Sequence, residues 1–325
     1  MPTQERATLF AAFGLLLEVD PRIDVAGLAR PRAGAPDEGA AATPTRVSLD
    51  PAELERRWAP VGTTARRMRE LRQGDRVALS VDLAESAGYL LQAVGVGRVL
   101  ISPDGTELLC DPLPESPEWT FILPAQALPL AATLRGLEVF HAAAVVLGPG
   151  AVLIAGDPGA GKSSLAAALV RNGAPFLGDD AIALEPGEGG LVAHPSVAAL
   201  YLRSAEHDRL SSAEREALGS PELSVGKRRY GPETAADAVP FGALFLLERG
   251  DRGAPIERIE EVDPFALLAA TFNLSVRTPE RLTRQLDVIE DLVRTGRVYR
   301  LRVLPGLDAT RLAEAVERCL AAVAR

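Results

Sequence analysis

The chain has 325 residues, 47% of them hydrophobic but only 5% aromatic, and a formal net charge of -9. Two domains of ordinary size fit this length, with cores packed mainly by Ala, Leu and Val. The acidic balance argues against a nucleic-acid-binding surface, and the longest apolar stretches are too short to span a bilayer.

In chain order, residues 1–122 are expected to form a small β-rich domain. The apolar run from Ala7 to Leu17 gives way to Glu18 and Asp20 with no small-residue cleavage site. It is therefore not read as a signal peptide, and a cytoplasmic location is expected. Residues 31–45, rich in Ala, Gly and Pro, read as a mobile loop. Asp50-Pro51 opens a short helix to Trp58, with Asp50 as cap and proline at the first position. Arg76 to Val81 alternates as a strand does. Arg98–Ile101 and Glu107–Cys110 flank Asp104-Gly105, a hairpin signal. Asp111 to Pro117 carries three prolines and reads as a connector. Cys110 and Cys319 have no metal-ligand spacing and are expected as buried thiols in a reducing compartment. The histidines His141, His194 and His207 form no metal motif.

A second domain, 123–325, is expected to be α/β. A helix over Gln126–Leu134 precedes alternating strands and helices. The apolar run Ala151–Ala155 leads into Gly156-Asp157-Pro158-Gly159-Ala160-Gly161-Lys162-Ser163, followed by Ser164 and an Ala/Leu-rich helix to Val170. Strand, glycine loop, helix is the setting in which this pattern binds phosphate. Glycines let backbone N–H groups approach a large polyanion, and the open helix end adds further donors. Lys162 reaches the β- and γ-phosphates, and the Ser163 hydroxyl holds Mg²⁺. Gly178-Asp179-Asp180 follows between two apolar runs, where an α/β sheet gathers ligands. One carboxylate of such a pair serves the metal and the other the acceptor. Asp179 is assigned as the base and Asp180 as the metal-side group. Further on, Ala243–Leu247 and Val298–Val303 read as strands. Leu282, Leu286, Ile289 and Val293 mark one face of a helix over 279–295. Leu312, Val316, Cys319, Leu320 and Val323 line one side of a closing helix capped by Asp308.

His141-Ala142-Ala143-Ala144, the loop Gly156–Ser164 and Gly178-Asp179-Asp180 occur in that order at close spacing. This arrangement resembles the catalytic domain of HPr kinase/phosphorylase and its relatives, the HPr-kinase-like serine kinases, some of which phosphorylate lasso peptides. The resemblance covers about 125–325 and is stronger to the relatives, to which Phe13-Gly14-Leu15 and Gly226-Lys227 are also similar. It implies a P-loop kinase domain of the HPr-kinase/PEP-carboxykinase-like type, using ATP and Mg²⁺. It implies that Lys162 binds phosphate, that Ser163 and Asp180 serve the metal, that Asp179 is general base and that His141 lies beside it. Lys227 carries over as a phosphate or substrate contact, or is one charge of a solvated loop. The family's E-x-R-G-x-G signature is absent. The comparable Ala199–Ser204 keeps only the arginine, Arg203, as a phosphate contact. HPr as acceptor and the reverse reaction are therefore not expected.

The expectation is a kinase acting on a hydroxyl of a peptide, protein or small molecule, with no nucleic-acid or membrane partner. The alternative is a regulatory module that binds or hydrolyses nucleotide. A GTPase switch ranks lower, because no N-K-x-D motif is present.

Overall fold

A computed structural model describes residues 8–25, 27–28, 43–113, 116, 118–148, 150–224, 226–272 and 275–323. The chain divides into two compact units. One comprises Met1–Leu137 with Asn273–Arg281, the other Glu138–Phe272 with Leu282–Arg325. Most of the loop expected over 31–45, and part of the 111–117 connector, lie outside the described residues.

The first unit is built on an eight-stranded mixed sheet. Its elements are β1 (Thr8–Ala12), β2 (Leu15–Val19), β3 (Thr45–Leu49), α1 (Pro51–Trp58), β4 (Arg66–Gln73), β5 (Arg76–Ala84), β6 (Gly88–Ala93), β7 (Gly97–Ile101) and β8 (Glu107–Pro112). The strand order is β1-β2-β3-β8-β7-β6-β5-β4. Phe13 and Gly14 turn β1 into β2 with φ of 56° and 75°. Such a two-residue hairpin turn needs positive φ at both positions. Asp50 caps α1 as expected, accepting from the Glu53 N–H at 2.9 Å. Strand β4 has no sequence signal of its own: it carries four arginines and no alternation, and is extended because it pairs with β5. A helical stretch closes the segment as α2 (Trp119–Ile122), a π-helical turn (Leu123–Ala127) and α3 (Leu128–Leu134). It was expected to open the second domain, but groups with the first unit. The Gly105 backbone lies so close to this stretch that a Cβ there would meet Ala131 O at 2.8 Å.

The second unit contains β9 (Glu138–Phe140), β10 (Ala142–Leu147), β11 (Gly150–Gly156), α4 (Lys162–Arg171), β12 (Phe176–Gly178), β13 (Ile182–Gly187), β14 (Gly190–His194), β15 (Leu200–Arg203), α5 (Ser204–His207), α6 (Ser212–Leu218), β16 (Glu222–Ser224), β17 (Lys227–Tyr230), β18 (Val239–Arg249), β19 (Ile256–Arg258), α7 (Pro264–Ala269), most of α8 (Pro279–Thr295), β20 (Val298–Val303) and α9 (Ala309–Val323). Nine strands form its mixed main sheet, with β11, β18 and β20 parallel at the centre. The middle of β11 and of β18 reads as an apolar run because both faces are covered, whereas β20 carries Arg300 and Arg302. Val152, Ile154, Ala243 and Phe245 pack with α4 and α9. Ala151, Leu153, Ala155 and Leu244 pack with α7 and α8. A small separate sheet has the order β15-β17-β16.

The expected inward face of α8 is wrong in part. Leu282 and Leu286 are 43% and 57% exposed, while Gln285, Val288, Ile289 and Leu292 are buried. Gln285 is accommodated because its amide donates to Glu138 Oε1 at 3.2 Å and Thr271 Oγ1 at 3.1 Å. In α9, Leu312, Val316 and Leu320 are buried as expected, but Val323 in the last turn is 54% exposed. Cys110 is buried and Cys319 half-buried, both free thiols, and burial pushes both pKa values up.

Candidate functional site

Strand β11 delivers the chain to the loop at Gly156, which pairs with Leu247 of β18. A Cβ at Gly156 would stand 2.4 Å from the Leu247 carbonyl oxygen, so only glycine permits this approach. Gly159 and Gly161 have φ of 80° and 111°, in the left-handed region that favours glycine. Gly161 is the N-cap of α4 and offers no side chain to its first N–H groups. The loop therefore arrives at a bare helix end, where donors and dipole favour an anion.

Lys162 folds back over this loop. Its Nζ lies 2.8 Å from Gly156 O, 3.4 Å from Asp157 O and 3.2 Å from His141 Nε2. On the other side of the ring, His141 Nδ1 is 2.9 Å from the Asp180 carbonyl oxygen. A carbonyl can only accept, so Nδ1 carries the proton and Nε2 accepts from the lysine. The imidazole is thereby a neutral brace between the loop lysine and the acidic pair. Burial lowers the Lys162 pKa against the pull of Asp180, Asp179 and Asp157.

The acidic pair sits where β12 ends. Gly178 is required by crowding, since a Cβ would lie 2.0 Å from Ser196 Oγ. Asp179 is 6% exposed and accepts from Ser163 Oγ at 3.0 Å, Asp180 N at 3.1 Å and Tyr201 N at 3.2 Å. Burial, then the neighbouring Asp180 charge, raises its pKa from 3.8 to about 7, although the three hydrogen bonds oppose the rise. Asp180 has φ of 69°, which Asp tolerates better than most residues. The sequence expectation set Asp179 toward the acceptor and Asp180 toward the metal. In the structure Asp179 is the carboxylate bonded to Ser163, and Asp180 is the one that lines the cavity.

That cavity, about 270 Å³, gathers His141, Lys162, Ser163, Asp180, Arg203 and Lys227 around the loop residues Pro158, Gly159 and Gly161. Arg203 and Lys227 stand directly opposite each other on β15 and β17. Like charges in that position repel. Among the described residues neither side chain has an acidic partner. Arg203 reaches the loop, its Nη2 3.0 Å from where a Gly159 Cβ would be. Lys227 Nζ lies over the Tyr201 ring at 5.9 Å. Two uncompensated cations beside a lysine are an arrangement that an anion relieves.

Sequence reasoning missed two residues of this wall. Tyr201 stands two positions before Arg203. Its N–H holds Asp179, the residue lines the cavity, and burial pushes its phenol up to about 12. Glu206 touches the Ser164 hydroxyl, accepts from Arg203 N at 3.1 Å and also lines the cavity. A single carboxylate three residues past Arg203 belongs to no motif, so nothing local in the sequence marks it.

No family model matches the chain, and no curated protein matches it. Among solved structures, it is similar to the Hpr(Ser) kinase/phosphatase from Coxiella burnetii, at 15% identity, over 57% of this chain and 95% of that one, with a TM-score of 0.29.

Proposed function

We propose that the chain is an ATP- and Mg²⁺-dependent kinase that phosphorylates a hydroxyl: a serine or threonine of a peptide or protein, or an alcohol of a small molecule. The observation that supports this most is the convergence of loop lysine, loop serine and Asp180 on one anion-ready cavity, with Asp179 bonded to that serine. A binding module has no use for the second carboxylate, whereas transfer to a hydroxyl needs a base.

The residues present fit the nucleotide phosphates: glycine loop, uncapped helix end, and the cations Lys162, Arg203 and Lys227. Among the described residues no cluster of three or more His, Cys, Asp or Glu could hold a metal unaided. That suits Mg²⁺, which takes one or two carboxylates together with phosphate oxygens. Ser163 and Asp179 would hold it, and bound there it would neutralise phosphate charge. The roles of the pair are then the reverse of the sequence assignment. Asp180, facing the cavity, takes the proton from the acceptor hydroxyl as its oxygen bonds to phosphorus and the bond to the leaving diphosphate breaks. Lys162, braced by His141, offsets charge on the transferring group.

The test is transfer of labelled γ-phosphate to candidate acceptors by the full chain. Asp180→Asn should lose about 10²–10⁴-fold in transfer while still binding Mg-ATP. Full transfer by Asp180→Asn would refute its role as base. If Asp179→Asn instead lost transfer while keeping metal-dependent nucleotide binding, the original assignment would be restored. Binding or hydrolysis of ATP without transfer to any acceptor would favour a regulatory module.

A further inference from the structure

A second cavity, about 380 Å³, adjoins the phosphate cavity within the same unit. The two share Gly161, Ser164 and Glu206, so they adjoin at the first turn of α4. Their walls differ. The phosphate cavity is lined by cations and carboxylates, whereas the second is walled largely by aliphatic side chains, among them Leu202, Leu210, Leu247, Val303 and Leu307.

We propose that this second cavity receives the nucleoside, base and ribose, of the nucleotide whose phosphates lie on the loop. The inference rests on the phosphotransfer reading and adds where the rest of the donor goes. Adjacency supports it: a phosphate chain running along the helix end leaves the loop beside Ser164, which lines this cavity as well. Size agrees, since small-molecule sites usually enclose about 300–1,000 Å³. Polarity agrees as well, because a flat heteroaromatic base gains from apolar walls.

Glu206 stands at the junction of the two spaces. Its carboxylate is held by the Ser164 hydroxyl and the Arg203 N–H, and has accepting capacity left over. There it repels polyphosphate from the apolar side and accepts from ribose hydroxyls. The far rim is closed by internal pairs: Arg171 binds Glu214 at 2.9 Å and Thr310 Oγ1 at 3.2 Å.

The test is calorimetric binding of Mg-ATP and of inorganic tripolyphosphate to the full chain and to variants that fill the cavity. Ala309 lines it at the start of α9, and Leu210 lines another wall. Ala309→Trp and Leu210→Trp, each checked for native circular dichroism, should weaken Mg-ATP by at least about tenfold and leave tripolyphosphate within about twofold. Lys162→Ala should lose both ligands. Unchanged Mg-ATP affinity in the folded filling variants would overturn the nucleoside site and leave the phosphate site standing. Equal affinity of the unmodified chain for the two ligands would do the same. If the unmodified chain bound neither, the phosphotransfer reading itself would fall.

Discussion

Replacing Asp179 by asparagine should make the metal-free protein less stable in acid and more stable above neutrality. In the folded chain the carboxyl pKa is raised from 3.8 to about 7, first by burial and then by Asp180. Between those values the folded state keeps a proton that the unfolded state releases. Stability therefore falls as pH rises through this window, and the contribution present below 3.8 is gone above about 7. Ionising so buried a group costs on the order of 4 kcal/mol. Asparagine removes that cost but sets an NH₂ group against the Tyr201 N–H, at a penalty of about 1–3 kcal/mol. Only the penalty remains in acid; above neutrality the relief exceeds it by about 1–3 kcal/mol. Thermal melts of both proteins in chelator, from about pH 4 to about pH 8, should show their midpoints crossing, with about 2–4 °C for each kcal/mol. A midpoint difference independent of pH would refute the reasoning, as would one that moved against the variant with rising pH.

The opposed cations predict a trade between affinity and stability. Lys227→Ala should weaken tripolyphosphate binding, most at low salt, and raise stability by about 0.2–1 kcal/mol through relief of the cross-strand repulsion with Arg203. A loss of stability in denaturant melts would show that the pair does not repel. Gly156→Ala should damage the loop more than Gly161→Ala, because its Cβ meets the Leu247 carbonyl oxygen at 2.4 Å, whereas at Gly161 the nearest atom is a Leu247 methyl at 4.0 Å. Gly161→Ala should fold with a strain of about 1–2 kcal/mol, and Gly156→Ala should lose tripolyphosphate binding with its loop geometry. Phe245→Ala should cost about 3–5 kcal/mol in urea melts, since the ring is fully buried and stacks on Tyr299 at 5.0 Å between centroids.

Much of the first unit was legible where the signal was local. The Asp50 cap and the Asp104-Gly105 turn follow from short-range backbone chemistry. Strand β4 was not, because a run such as Arg66–Gln73 becomes extended only through its neighbour β5. Helix α8 shows the same limit from the other side. Its period announced a helix, but the buried position of Gln285 depends on Glu138 and Thr271, distant in sequence. Leu282 and Leu286 are therefore exposed although their spacing matches that of the buried positions.

In the candidate site, sequence alone determined the glycine loop. Glycine spacing between an apolar strand and a helix is a local rule, and the left-handed φ values at Gly159 and Gly161 are its direct consequence. Sequence also brought forward His141, and Asp179 and Asp180 as adjacent carboxylates without distinct surroundings. Only the tertiary structure decided which of them meets Ser163 and which meets the cavity, that His141 braces Lys162, and that Arg203 and Lys227 face each other unpaired. Backbone geometry is written within a few residues. The burial, charge and partners that give a side chain its chemistry come from strands and helices far along the chain.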